Sequence, residues 1–234
     1  MNKRTFYTEY AYMLGLIGLA FGTALMEAAD FGVSMVVAPA YLIYLKLSQV
    51  WSFFTFGMAE YMFQAFLLII LMIVLKRFKV SYLFSFVTAV IYATLLDISM
   101  NIIALVPSET FALRLLLYIL GFLACTAGVS LIFHTYIAPE VYELLVKEVS
   151  AKYKIDIHKF KTFYDCVSCL VGIALSFAFF GFWQFEGIKI GTVICALING
   201  WTISRFTLFF EKHWEFKDGL RLRSYFQRTS VDSI

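Results

Sequence analysis

Long apolar runs alternate with short polar breaks along the whole chain. Six runs of about twenty residues carry little or no charge: residues 7–26, 53–75, 80–105, 111–134, 163–183 and 188–210. As helices, each reaches across roughly 30 Å of hydrocarbon. Two further segments break the pattern. Residues 35–44 are apolar but too short to cross, and they follow the polar break Ala28-Ala29-Asp30-Phe31-Gly32-Val33-Ser34. Residues 140–161 are polar, and their first half reads as an amphipathic helix with Val141, Leu144, Leu145 and Val149 on one face. The predicted class is all-α, a polytopic helical membrane protein with six transmembrane helices and two half-helices, residues 34–45 and 139–150. Gly32 relaxes the backbone and Ser34 is placed to cap the first half-helix. Pro39 falls inside that half-helix, or in its first turn if the helix begins later.

Composition agrees. The 234 residues are 62% hydrophobic and 15% charged, with a mean hydropathy of +0.82. A soluble domain is about half apolar and about a quarter charged. No secretory signal is evident, because the first apolar run is long enough to span and no small-residue cleavage site follows it cleanly. Charge placement then sets an orientation. With both termini in the cytoplasm, Lys3, Arg4, the 76–79 cluster, the 147–161 lysines and the C-terminal cations fall inside. Only Lys46, Arg114 and Lys189 fall outside. The positive-inside rule favours this arrangement. Counting residues 35–44 as a full span would put the Lys76 cluster outside.

The pattern occurs twice. Gly15 and Gly22 match Gly121 and Gly128, and Gly18-x-x-x-Gly22, a close-packing pattern of membrane helices, lies over Ala124-x-x-x-Gly128. Ala38-Pro39 lies over Ala138-Pro139, and Lys79-Val80-Ser81 over Lys189-Ile190-Gly191. Each unit reads span, half-helix, span, span. Three spans are an odd number, so the second unit enters the membrane from the opposite side. The expectation is two inverted repeats, residues 1–106 and 107–211, followed by a basic tail at 212–234. Inverted repeats with broken helices characterise secondary transporters, whose site lies near the midplane.

These motifs resemble a known family. Gly15 to Ser34 reads Gly-x6-Gly-x6-Ala-Asp-Phe-Gly-Val-Ser, and the last unit reads Ile190-Gly191-Thr192-x3-Ala196-x3-Gly200. Both are similar to the YczE/YyaS/YitT family of bacterial integral membrane proteins, most closely its YczE-like branch. Asp165 ahead of a glycine-bearing span fits as well. Met35 stands where the first motif often continues with Pro. Glu140-Val141 follow Pro139 where family members usually have Gly or Asp nearby. The resemblance implies a permease-like protein of the bacterial cytoplasmic membrane.

Ionisable groups within spans are costly and mark function. Glu60 and Gln64 lie one turn apart on the second span, and Asp97 and Asn101 one turn apart on the third. The two spans run antiparallel, so these pairs are expected to face each other at comparable depth as a proton or cation relay or a substrate ligand. Asp30 and Ser34 are the further candidates, Asp30 as an interfacial acid or cap and Ser34 at a helix N-terminus suited to an anionic group. Asp165 is placed to pair with Lys161 one turn earlier. His134 marks the inner end of the fourth span. Cys166-Val167-Ser168-Cys169 has no second pair, so the four cysteines read as apolar packing residues and no metal is expected. No Ser/His pair, HExxH or nucleotide loop is present, so neither catalysis nor a cofactor is expected.

The functional expectation is a secondary transporter for a small polar or charged solute, with an accessory membrane protein that assembles with a partner as the alternative. The expected partners are the lipid bilayer and a small-molecule solute, with no nucleic acid. The aromatic, basic tail is suited to anionic lipid. A homo-oligomer is left open.

Overall fold

The computed structural model describes residues 4–76, 78–79, 81–105, 110–182 and 185–220. The expected turn at Pro107-Ser108-Glu109, Arg77 of the basic cluster, Gln184 and the tail cations Arg221, Arg223 and Arg228 lie outside the described residues.

Among the described residues eight helices follow in order: α1 (Thr8–Ala29), α2 (Ala38–Leu47), α3 (Phe56–Leu75), α4 (Ser81–Ile103), α5 (Phe111–Phe133), α6 (Val141–Tyr153), α7 (Ile157–Phe180) and α8 (Ile190–His213). All but α2 and α6 are long and apolar enough to cross a membrane. This is a multi-pass helical membrane protein. Its outward faces are apolar, as along Met62, Phe66, Ile69 and Ile73 of α3 and Ile190, Ile194, Leu197 and Trp201 of α8. Those positions recur at helical spacing and form stripes that water would not solvate. Acids and amides are instead among the buried residues.

The two short helices are where the sequence placed them. At about 1.5 Å per residue, the ten residues of α2 reach only half the hydrocarbon thickness. Pro39 sits in its first turn, where its missing N–H costs nothing. The start of α2 differs from expectation. Val37, not Ser34, is the N-cap residue. The Ser34 carbonyl accepts the N–H groups of Val37 and Ala38, and its hydroxyl turns to Met35 Sδ at 3.6 Å. A backbone turn over residues 34–37 thus replaces the side-chain cap. On α6, Val141, Leu144 and Val149 pack against Leu68, Leu71, Leu75 and Tyr82, with Leu145 half-buried beside them. The fifth span starts six residues before the expected 163, because Asp156 caps it, accepting the N–H groups of His158 and Lys159.

Packing joins the two halves of the chain. α1 lies antiparallel against α5 with backbones nearly touching: a Cβ on Gly22 would stand 2.7 Å from the Gly121 carbonyl, and one on Gly128 2.7 Å from the Gly15 carbonyl. α1 also packs on α4 and α5 on α8; α3 packs on α4 and α7 on α8; α2 packs on α3 and α7, and α6 on α7 and α3. One element is additional to the all-α expectation. Arg4–Tyr7 (β1) pairs in parallel with Trp214–Lys217 (β2), with Phe6 edge-on to Phe216. Glu9 secures this ribbon by accepting the Gly219 and Leu220 N–H groups and the Tyr136 hydroxyl.

Candidate functional site

The start of α6 enters the bundle and meets α3. Thr55 caps α3 through the Met58 N–H, which fixes the helix register and turns Glu60 and Gln64 inward. Both are fully buried. The Gln64 carbonyl oxygen accepts the first N–H of α6, from Val141, at 3.0 Å. That bond fixes the amide's orientation, so its nitrogen must face the acids. It stands 3.2 Å from Glu140 Oε2 and 3.4 Å from Glu60 Oε2. The Tyr142 hydroxyl donates to the same Glu60 oxygen at 2.9 Å, while Glu60 Oε1 has no hydrogen-bond partner.

A second arm runs from α6 to α7 and α8. Lys161 Nζ lies 2.9 Å from Glu143 Oε1 and 3.3 Å from Asp165 Oδ1. Asn199 donates to the other Asp165 oxygen at 2.7 Å. Glu143 Oε2 has no hydrogen-bond partner. Between the arms is a small, partly enclosed cavity of about 20 Å³, room for a single water. Its wall includes Ser34 ahead of α2, Glu140 and Glu143 of α6, and Lys161 and Asn199. Both short helices therefore begin at one cavity.

The electrostatics are lopsided. Four buried carboxyls, Glu60, Glu140, Glu143 and Asp165, face one buried ammonium, Lys161. An uncompensated buried ion costs several kcal/mol, so unless a cation is bound the acids cannot all be charged and some hold a proton. Burial, with Glu143 and Glu60 beside it, pushes the Glu140 carboxyl well above the usual carboxylate range.

The candidates picked from sequence separate into two groups. Glu60, Gln64 and Ser34 belong to this region. Asp97 and Asn101 do not, and the expected face-to-face pairing of the two polar pairs is corrected. Asp97 accepts the Gly57 N–H and the Thr55 hydroxyl, each at 2.8 Å, and so ties the start of α3 to α4. Gly57 permits this, since a Cβ there would stand 2.6 Å from the Ala93 carbonyl. Asn101 is exposed and donates to the Asp97 carbonyl one turn back. Asp30 ends α1 in a left-handed conformation, with its side chain 62% exposed, and pairs with Arg114 and Lys189. It fastens the end of α1 to α5 and to the segment entering α8. His134 stacks on Phe216 and lies 3.5 Å from Glu211, beside the ribbon.

Glu140, Tyr142 and Glu143 were not picked from sequence. α6 reads as a polar surface helix, although Glu140 and Glu143 are three apart and so share a face. The expected Lys161–Asp165 pair is present. Among the described residues no three His, Cys, Asp or Glu side chains converge as a metal site, and all four cysteines are free thiols.

A family model, described as a family of unknown function (DUF6198), matches residues 6–208. The chain belongs to this family. No curated protein and no solved structure matches it. The DUF6198 match runs from β1 to within a few residues of the end of α8, so every residue of the buried cluster falls inside it.

Proposed function

We propose that this DUF6198 protein is a secondary carrier for a small polar or charged solute. The observation that carries the reading is the convergence of both short helices on one small cavity lined by buried charged groups. A buried, charged cavity at the junction of two short helices suits the solute site of a carrier that works by alternating access.

The packing supports inverted repeats. If α1–α4 correspond to α5–α8, the contacts of one half are answered in the other: α1 on α4 by α5 on α8, and α3 on α6 by α7 on α2. Within the α1–α5 pair, Gly15 meets Gly128 and Gly22 meets Gly121. With Gly15 equivalent to Gly121 and Gly22 to Gly128, exchanging the halves maps this contact set onto itself. The motif resemblance to YczE-like membrane proteins points the same way. The charge distribution supports an orientation with Lys3, Arg4 and the C-terminal cations on the inner side, and the resemblance points to a bacterial cytoplasmic membrane. In this reading α2 and α6 are the moving parts, and rocking of one repeat against the other opens the cavity alternately.

The test is solute uptake by liposomes holding the purified protein, across a panel of amines, amino acids, organic acids and inorganic ions. Uptake of at least one solute above empty liposomes is expected, reduced at least tenfold in Lys161→Ala. Absence of flux for the whole panel, with and without an imposed proton gradient, contradicts the carrier.

A further inference from the structure

We infer that Glu60 and Glu140 form a proton-binding site, holding one proton between them, and that this proton is the carrier's coupling ion. The second half of the statement rests on the carrier reading above; the first half does not.

The Gln64 amide has two N–H groups, and its nitrogen lies within hydrogen-bond reach of one oxygen of each acid. Tyr142 adds a hydroxyl to Glu60. A metal ion needs lone pairs aimed at it, and here an amide nitrogen and a phenol aim hydrogens at the carboxyl oxygens instead. A proton needs only a carboxyl oxygen. Glu60 Oε1 is one such oxygen on the pair: it is buried, belongs to a fully enclosed side chain, and has no hydrogen-bond partner. A neutral carboxyl left short of one bond in this place costs far less than an ionised one.

The neighbouring charges leave the pair without another counterion. Lys161, on α7, is already engaged by Glu143 and Asp165. From the other elements the groups facing the pair are Tyr12 of α1, Tyr92 of α4 and Tyr142 of α6, all phenols, together with the acid Glu143. Among the described residues, these groups supply hydroxyls and a further negative charge, and the cation that acts on Glu140, Lys161, is shared with Glu143 and Asp165. Two buried carboxyls bridged by one amide nitrogen repel each other when both are ionised, which favours holding a proton on the pair.

The location gives the proton a consequence. Glu60 and Gln64 are on α3, whereas Glu140 heads α6. Losing the proton places two negative charges across the α3–α6 contact and pushes the short helix away; regaining it allows α6 to dock. Proton exchange with one side of the membrane thereby biases the position of the element that closes the cavity.

The test reads the proton itself. Infrared spectra of the purified protein in lipid nanodiscs at neutral pH should contain a protonated-carboxyl band. That band should weaken in Glu60→Gln and in Glu140→Gln, persist in Asp97→Asn, and be unaffected when sodium and potassium are replaced by choline. No such band at neutral pH, a band unchanged in both Gln variants, or a band that appears only when sodium and potassium are removed overturns the inference. Both substitutions are nearly isosteric and mimic the protonated form, so folding is expected to survive; thermal unfolding of each variant confirms this before spectra are compared. If the band behaves as stated while no solute crosses liposomes, the proton site stands and the carrier reading falls. If solute crosses and the band is missing, the reverse holds.

Discussion

The Gln64 amide nitrogen lies 3.2 Å from Glu140 Oε2, joining the middle of α3 to the head of α6. Together with the Val141 N–H accepted at 3.0 Å, this makes one side chain the dock for a whole helix. Replacing it with leucine keeps the volume and strands a buried N–H. Gln64→Leu should lower stability by about 1–3 kcal/mol, the cost of an unsatisfied buried polar group. Thermal unfolding in detergent reads this, and an unchanged melting temperature would show that α6 is held by its apolar face alone.

Glu140 should give stability a pH slope of definite sign. Its proton is released from the unfolded chain near the ordinary value of 4.5 but is retained to higher pH in the folded one. Across that window the folded state binds more protons, so stability falls as pH rises. The contribution is greatest below the unfolded value and is lost as pH climbs through the raised one. Glu140→Gln should flatten the slope and melt higher than the wild type at mildly alkaline pH. Melting curves across neutral pH decide it, and parallel curves for the two proteins count against the buried acid.

Asp97 should matter for folding and not for transport. It caps the start of α3 through Gly57 and holds Thr55. Asp97→Ala should cost about 1–2 kcal/mol, in the range of a lost helix cap. Whatever uptake the protein shows should then survive per folded molecule. If Asp97→Ala abolished uptake in fully folded protein, the division between Asp97 and Glu60 would be wrong.

The α1–α5 seam should be intolerant at some glycines and more forgiving at another. A Cβ on Gly22 or Gly128 comes to 2.7 Å from a backbone oxygen, whereas one on Gly18 stands 3.3 Å from the Ala124 carbonyl. Gly22→Ala and Gly128→Ala should each cost about 1–3 kcal/mol by overpacking. Gly18→Ala should cost distinctly less. Melting temperatures of the three variants order them.

The sequence reading reached the spans, both short helices and the tight glycine seam, because each leaves a local mark: an apolar run, a proline near a helix start, a four-residue spacing of small residues. It reached Glu60 and Gln64 because polar groups inside an apolar run stand out. Asp97 stands out in the same way, whereas the partners that Glu60 and Gln64 meet in the fold, Tyr142 and Glu140, lie in a segment whose polarity resembles that of a solvent-exposed helix. Burial of α6 depends on how α3, α4 and α7 enclose it, and no window along the chain records that. The parallel pairing of β1 with β2 was hidden for the same reason, since its strands are four residues long and some two hundred residues apart.

The central claim is that the cavity at the start of α2 and α6 opens to either side of the membrane in turn. It is tested most directly by thiol accessibility. Ser34, on the cavity wall, is replaced by cysteine in a chain whose four native cysteines are changed to serine or alanine, and the protein is inserted in one orientation in liposomes. A membrane-impermeant maleimide should label Ser34→Cys when added on either side, each at a rate that a transported solute slows. Labelling from one face only, or equal labelling of Ser34→Cys whether or not solute is present, would contradict the account.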